Sequence, residues 1–168
     1  MKKTIILLAI LFSSISVSSQ ETKDNKTEIT TYYLIRHAEK KADKKDPEIN
    51  NEGIKRTKKW LTIFKEIKFD AVYSTDYKRT KQTAKPIADI NGKAILGYNP
   101  RELYDPGFKY NTTGKTVLVV GHSNTTPNFV NKILGEEKYK QIDENIYGNL
   151  YIVTVIGDKA SSSLLNVN

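Results

Sequence analysis

Two histidines and four arginines carry most of the chemistry open to this chain of 168 residues. His37 and His122 each follow an apolar run: 29–35 (ITTYYLI) leads through Arg36 to His37, and 116–120 (TVLVV) leads through Gly121 to His122. Open α/β sheets gather ligands beyond the carboxyl ends of their strands, so both imidazoles are expected at one site. A third run, 69–73 (FDAVY), ends in Ser74-Thr75-Asp76-Tyr77-Lys78-Arg79. Lys plus Arg number 27, yet the only arginines are Arg36, Arg56, Arg79 and Arg101. Arginine placed beside strand ends in a lysine-rich chain points to bidentate recognition of an anion. Two imidazoles and two guanidinium groups (Arg36, His37, Arg79, His122) suit a phosphoryl group better than a hydride, a sugar ring or a metal.

Other chemistries fail on the residues. Cysteine is absent, which excludes disulfide frameworks, thiolate zinc sites and cysteine nucleophiles. Two histidines without cysteine make a poor metal site, so no metal and no cofactor is expected. Gly114-Lys115-Thr116 resembles the end of a P-loop, but Lys109 stands where the earlier glycine is required, and a strand follows instead of a helix. Gly121-His122-Ser123-Asn124-Thr125 resembles a nucleophile elbow, but its fifth position is Thr and no histidine follows Ser123 to complete a triad. The formal net charge is +8. Its lysines are scattered, without a basic helix interleaved with aromatics, so the charge reads as solubility and not as nucleic-acid binding.

The elements needed to position these residues can be read from pattern. Lys2 and Lys3, the short apolar run 5–12 and the small residues of 13–19 read as a secretory signal peptide over 1–19. Eight apolar residues are too few to span a bilayer, which takes about twenty. Export to a periplasm or beyond is therefore expected, with no stable membrane anchor after cleavage. Residues 20–29 read as a disordered leader, 30–156 as the domain and 157–168 as a C-terminal tail. Asn50 is placed to cap a helix over 51–66 with Ile54, Leu61 and Phe64 on its inner face. A helix from Tyr77 should be interrupted near Pro86. Residues 94–98 form a weaker third strand, Pro127 falls near the first turn of a helix, and 149–156 is the last strand. Strands alternating with helices predict an α/β fold with a mainly parallel sheet.

Leu34-Ile35-Arg36-His37-Ala38-Glu39 resembles the Arg-His-Gly/Ala motif of the histidine phosphatase superfamily, the phosphoglycerate-mutase-like proteins. Ser74 to Ala84 (STDYKRTKQTA) resembles that family's second motif, and Val119-Val120-Gly121-His122 its third. Asp46-Pro47-Glu48-Ile49-Asn50-Asn51-Glu52-Gly53 is similar to the family's Pro-Leu-Thr-x-x-Gly helix start. The resemblance runs from about 30 to 156. It implies a three-layer α/β/α sandwich and a phosphohistidine intermediate, and the short segment before Gly114 resembles the compact phosphohistidine-phosphatase-like branch.

On this reading neutral His37 attacks phosphorus, with its other ring nitrogen bonded to a backbone carbonyl. Arg36, Arg79 and a protonated His122 clamp the phosphoryl oxygens, with Ser74 and Asn124 as further substrate-binding candidates. An alkoxide leaving group needs a proton, normally from a carboxyl group. The family's acid follows the third strand, and in Arg101-Glu102-Leu103-Tyr104-Asp105 the best aligned candidate is Asp105, with Glu102 next. The expected activity is an exported, metal-independent phosphomonoesterase acting on a phosphorylated small molecule or an exposed phosphoryl group. A phosphate-binding module with little turnover and a phosphoramidate (phosphohistidine) phosphatase are the alternatives.

Overall fold

The structure is a computed structural model that describes residues 28–42 and 45–167. The expected signal peptide and nearly all of the leader lie outside those residues. Six strands form one sheet in the order β3-β2-β4-β1-β5-β6. In chain order the elements are β1 (Ile29–Arg36), α1 (Asn51–Phe64), β2 (Ala71–Ser74), α2 (Lys78–Ile90), β3 (Ile95–Gly97), α3 (Pro106–Thr112), β4 (Thr116–Gly121), α4 (Thr125–Leu134), β5 (Asn149–Ile156) and β6 (Lys159–Asn166). Strands β3, β2, β4 and β1 run parallel, while β5 and β6 add an antiparallel edge. The fold is the expected three-layer α/β/α arrangement around a mostly parallel sheet.

Alternation along the central strands builds both faces. Tyr32, Leu34, Val117 and Val119 point to one side, where they meet Phe108 of α3 and Phe129 of α4. Ile35, Leu118 and Val120 point to the other and pack on Trp60 and Phe64 of α1 and Ile87 of α2. A sheet buried on both faces has no polar alternation to show, which is why TVLVV reads as a continuous apolar run.

Three local readings are corrected. The buried stripe of α1 is Gly53, Thr57, Trp60 and Phe64, whereas Ile54 is 44% exposed. Gly53 sets this rotation. A Cβ there would collide with the backbone carbonyl of Glu39, so the helix rests its glycine directly on the loop after β1. The cap itself is as expected, with Asn50 Oδ1 accepting from the Gly53 amide at 2.9 Å. Helix α2 continues through Pro86 to Ile90. Thr83, Ala84, Ile87 and Ala88 are buried on both sides of the proline, and their packing offsets the roughly 3 kcal/mol that an interior proline costs.

The third correction concerns the C-terminus. Residues 157–168 do not simply trail the domain, because Lys159–Asn166 pairs along the whole of β5. The turn is Gly157-Asp158, with Gly157 at φ 61°, a conformation that glycine adopts without a Cβ penalty. A Gly-Asp pair between two strand-forming runs is a hairpin signal, although Ser161-Ser162-Ser163 hides the second run.

Trp60 is the largest fully buried side chain and stacks on Phe64 at 5.7 Å between ring centres. Trp60→Ala is expected to cost about 3–5 kcal/mol, read as a lower midpoint in urea unfolding. A loss below about 1 kcal/mol would mean that this face of the sheet is not the packed core described.

Candidate active site

Parallel pairing of β1 with β4 brings the two histidines together. Arg36 stands opposite Gly121 in the register, and the His37 amide donates to the Gly121 carbonyl at 2.9 Å. The imidazole centres are 5.4 Å apart. Gly121 has no room for a side chain, since a Cβ would lie 2.8 Å from both Thr126 Oγ1 and the Tyr98 hydroxyl. The loop after β1 is pinned from α2: the Ala38 amide donates to Thr83 Oγ1, which itself donates to the Arg79 carbonyl. One cleft of about 550 Å³ opens here, and Arg36, His37, Arg79, Arg101, His122 and Glu144 are among its walls.

The two rings are held as different tautomers. His37 Nδ1 lies 2.7 Å from the Ala38 carbonyl. A carbonyl can only accept, so Nδ1 carries the proton and Nε2 keeps its lone pair. For His122 the assignment is reversed. Arg79 Nη2 lies 3.2 Å from Nδ1, and a guanidinium can only donate, so Nδ1 is the unprotonated nitrogen. His122 Nε2 then donates to Thr75 Oγ1 at 2.9 Å, and Thr75 Oγ1 passes its own hydrogen to Thr80 Oγ1. Burial is the main force pushing His37 down to about 3, with the charges of Arg79 and Arg36 adding to it against the Ala38 hydrogen bond. Burial followed by the same two arginines pushes His122 down to about 4. Both rings are neutral near pH 7, so His122 is not the cation of the sequence-based clamp in the unliganded protein.

Arg36 is 1% exposed. Its Nη1 donates to the carbonyls of Asp143, Glu144 and Ile146, and its Nη2 to Glu144 Oε2. The Tyr147 ring lies 4.1 Å from the guanidinium carbon. A guanidinium has five N–H donors, so the fork keeps Nε–H and one Nη2 hydrogen uncommitted. Arg79 packs on the Tyr77 ring at 4.6 Å and faces Asp46 at 3.7 Å. Among the described residues, Arg36 Nε and Arg79 Nε are buried without a hydrogen-bond partner. An unmet buried N–H costs about 1–3 kcal/mol, which an anion's oxygen would recover.

The expected site residues divide cleanly. Arg36, His37, Arg79 and His122 converge, and Asn124 joins the same walls while accepting from the Thr125 amide at the start of α4. Ser74 does not line the cleft; it is buried and donates to the Thr75 carbonyl. Neither proposed acid lines it either. Asp105 accepts from the Gly107 and Phe108 amides as the cap of α3, and Glu102 accepts from Asn99. That cap explains the aspartate physically, and Asp-Pro is a helix-start signal that the sequence reading passed over. The carboxylate that does reach the cleft is Glu144, which accepts from Ser123 and Arg36. The Ser123 hydrogen bond is the main reason its carboxyl is held below the usual range, with the charge on Arg36 contributing. Sequence reasoning also missed Thr75, Tyr77 and Tyr147. Thr75 and Tyr77 sit inside a quoted motif, but Glu144 and Tyr147 lie in a loop with no local pattern. No group of three or more potential metal ligands occurs among the described residues.

Residues 32–100 match the family model of the histidine phosphatase superfamily (branch 1), a span that includes Arg36, His37 and Arg79. A search of curated proteins finds no match. Among solved structures, the alpha-ribazole phosphatase from Shigella flexneri is similar with a TM-score of 0.65 at 14% identity, over 82% of this chain and 96% of that one. The phosphoserine phosphatase from Entamoeba histolytica, in complex with 3-phosphoglyceric acid, gives 0.59 at 16%, over 83% and 98%. A mycobacterial glucosyl-3-phosphoglycerate phosphatase gives 0.60 at 9%, over 83% and 100%. At these identities the likeness is one of fold. The chain is thus similar to the histidine phosphatase superfamily over its first two motifs, and similar to these phosphatases in fold.

Proposed function

We propose that the protein is a phosphatase that hydrolyses phosphorylated compounds through a phosphohistidine on His37, without a metal ion. The observation that carries this reading is the pairing of a neutral imidazole, its Nδ1 tied to the Ala38 carbonyl, with two guanidinium groups whose buried Nε–H donors have no partner among the described residues. Phosphoryl transfer demands mainly position and charge around three equatorial oxygens, and Arg36 and Arg79 supply both. His37 Nε2 attacks phosphorus, the leaving group departs, and water then cleaves the phosphorus–nitrogen bond. The signal-like segment at 1–19 supports action outside the cytoplasm.

A second reading has its own support. Asp105 and Glu102 are hydrogen-bonded away from the cleft, so no expected carboxylic acid stands over a leaving oxygen. A phosphoramidate such as phosphohistidine leaves as an imidazole and asks for less proton donation than an alkoxide.

Rapid quenching during turnover of a labelled substrate should leave acid-labile, base-stable phosphate on His37. Label on serine or aspartate, with His37→Ala still active, would overturn the mechanism. A protein that binds phosphate but never acquires label would be a binding module. Arg79→Ala should lower kcat/KM about 100- to 1,000-fold, as removal of one preorganised donor does, and a loss under tenfold would remove Arg79 from the clamp. Chelator-treated protein should retain activity. Activity lost on chelation and restored by a divalent ion would reveal a metal requirement.

A further inference from the structure

We infer that His122, locked by Thr75 as the Nε2–H tautomer, is the proton carrier of this site, and that its Nδ1 both delivers the proton to the leaving oxygen and recovers one from water. The inference rests on the phosphatase reading and assigns the step that reading leaves without a group.

The geometry leaves little choice. Among the described residues that line the cleft Glu144 is the sole carboxylate, and it already accepts from Ser123 and Arg36. A carboxylate held ionised by two donors is a poor acid. His122 Nε2 faces the buried pair Thr75 and Thr80, both fully buried. The Thr75 hydroxyl spends its hydrogen on Thr80, and Thr80 Oγ1 donates onward to backbone carbonyls. The chain of donors therefore runs one way, and it obliges His122 to donate at Nε2. The lone pair is left at Nδ1, on the side of Arg79, which is itself a wall of the cleft. Around the ring stand Arg79, Arg36, the His37 imidazole and the Tyr77 ring, the last in edge contact at 5.0 Å. The His122 amide donates to the Thr125 hydroxyl oxygen, and the next residue, Ser123, donates to Glu144.

Substrate changes this balance. A phosphoryl oxygen that draws Arg79 away exposes Nδ1, and an adjacent anion favours the protonated ring. A phosphomonoester monoanion brings the needed proton itself, because its second ionisation lies near pH 6. That proton moves to Nδ1 as the dianion settles on the two arginines. His37 Nε2 then forms the phosphorus–nitrogen bond, the phosphorus–oxygen bond breaks, and the Nδ1 proton goes to the leaving oxygen. In the second step water oxygen bonds to phosphorus, the phosphorus–nitrogen pair returns to Nε2, and the water proton goes to His122 Nδ1. The ring ends as it began, protonated beside bound phosphate, and loses that proton as phosphate departs.

The sign of the pH dependence follows. The productive complex holds one proton between substrate and His122. For an alkyl phosphate, kcat/KM should fall about tenfold per pH unit above about 6, where the ester loses its own proton. An aryl phosphate with a nitro group needs no proton on leaving and should decline far less. His122→Gln should cost the alkyl ester about 100- to 10,000-fold and the nitrophenyl ester much less. Thr75→Val should lower the alkyl ester selectively, and Thr75→Ser should restore it.

The direct test uses nitrogen NMR on 15N-labelled protein, which contains only two histidines. Free protein at pH 7 should show His37 protonated at Nδ1 and His122 at Nε2. Saturation with inorganic phosphate should raise the His122 midpoint by at least one pH unit from its free value. Free His122 protonated at Nδ1, or a midpoint unmoved by bound phosphate, would overturn the assignment, as would equal losses on both esters in His122→Gln. Absence of turnover on both esters, with no phosphate on His37, would instead remove the phosphatase reading beneath it.

Discussion

In the pairing of β1 with β4, Arg36 stands opposite Gly121 and the His37 amide donates to the Gly121 carbonyl. This single step of register places two residues 85 positions apart in sequence within 5.4 Å, ring centre to ring centre. A slip of one residue would turn alternate side chains to the opposite face and take Arg36 out of the cleft. The strands cannot slip, because both faces are packed: Tyr32 and Leu34 on one core, Ile35 on the other. Core packing and site geometry are thus the same constraint seen at different ends of the strand.

Charge is the opposing term. Arg36 is almost wholly buried, Arg79 is partly buried, and both depress the neighbouring imidazoles. Burying an unpaired guanidinium is costly. The loop 143–147 offsets that cost with three carbonyls, one carboxylate and the Tyr147 ring, all directed to Arg36. The compensation is partial, since the Nε–H of each arginine stays unmatched among the described residues. Sites that bind and release an oxyanion keep such strain, because full internal satisfaction would leave no donor for the ligand.

Much of this was legible in the sequence because it depends on period and position. Apolar runs ending in Arg36-His37 and Gly121-His122 are properties of buried strands, and Asn50 announces its helix through a cap. What escaped notice depends on tertiary contact. Glu144 and Tyr147 act through Arg36, more than 100 residues earlier in the chain, and no local pattern marks them. Asp105 drew attention as an acid because carboxylates look alike in sequence. Its oxygen serves two backbone amides of α3. The serine-rich β6 lacks the β-branched residues that flag a strand, and pairing with β5 supplies what propensity does not.

In the proposed binding mode, phosphoryl groups are held between His37 Nε2 and the unmatched edges of Arg36 and Arg79. A crystal structure of the full chain with vanadate tests it most directly. The expected result is vanadium bonded to His37 Nε2, with equatorial oxygens within about 3 Å of Arg36 Nε and Arg79 Nε. Vanadate held by a serine or carboxylate oxygen, or seated away from His37 with both Nε atoms still unpaired, would contradict it.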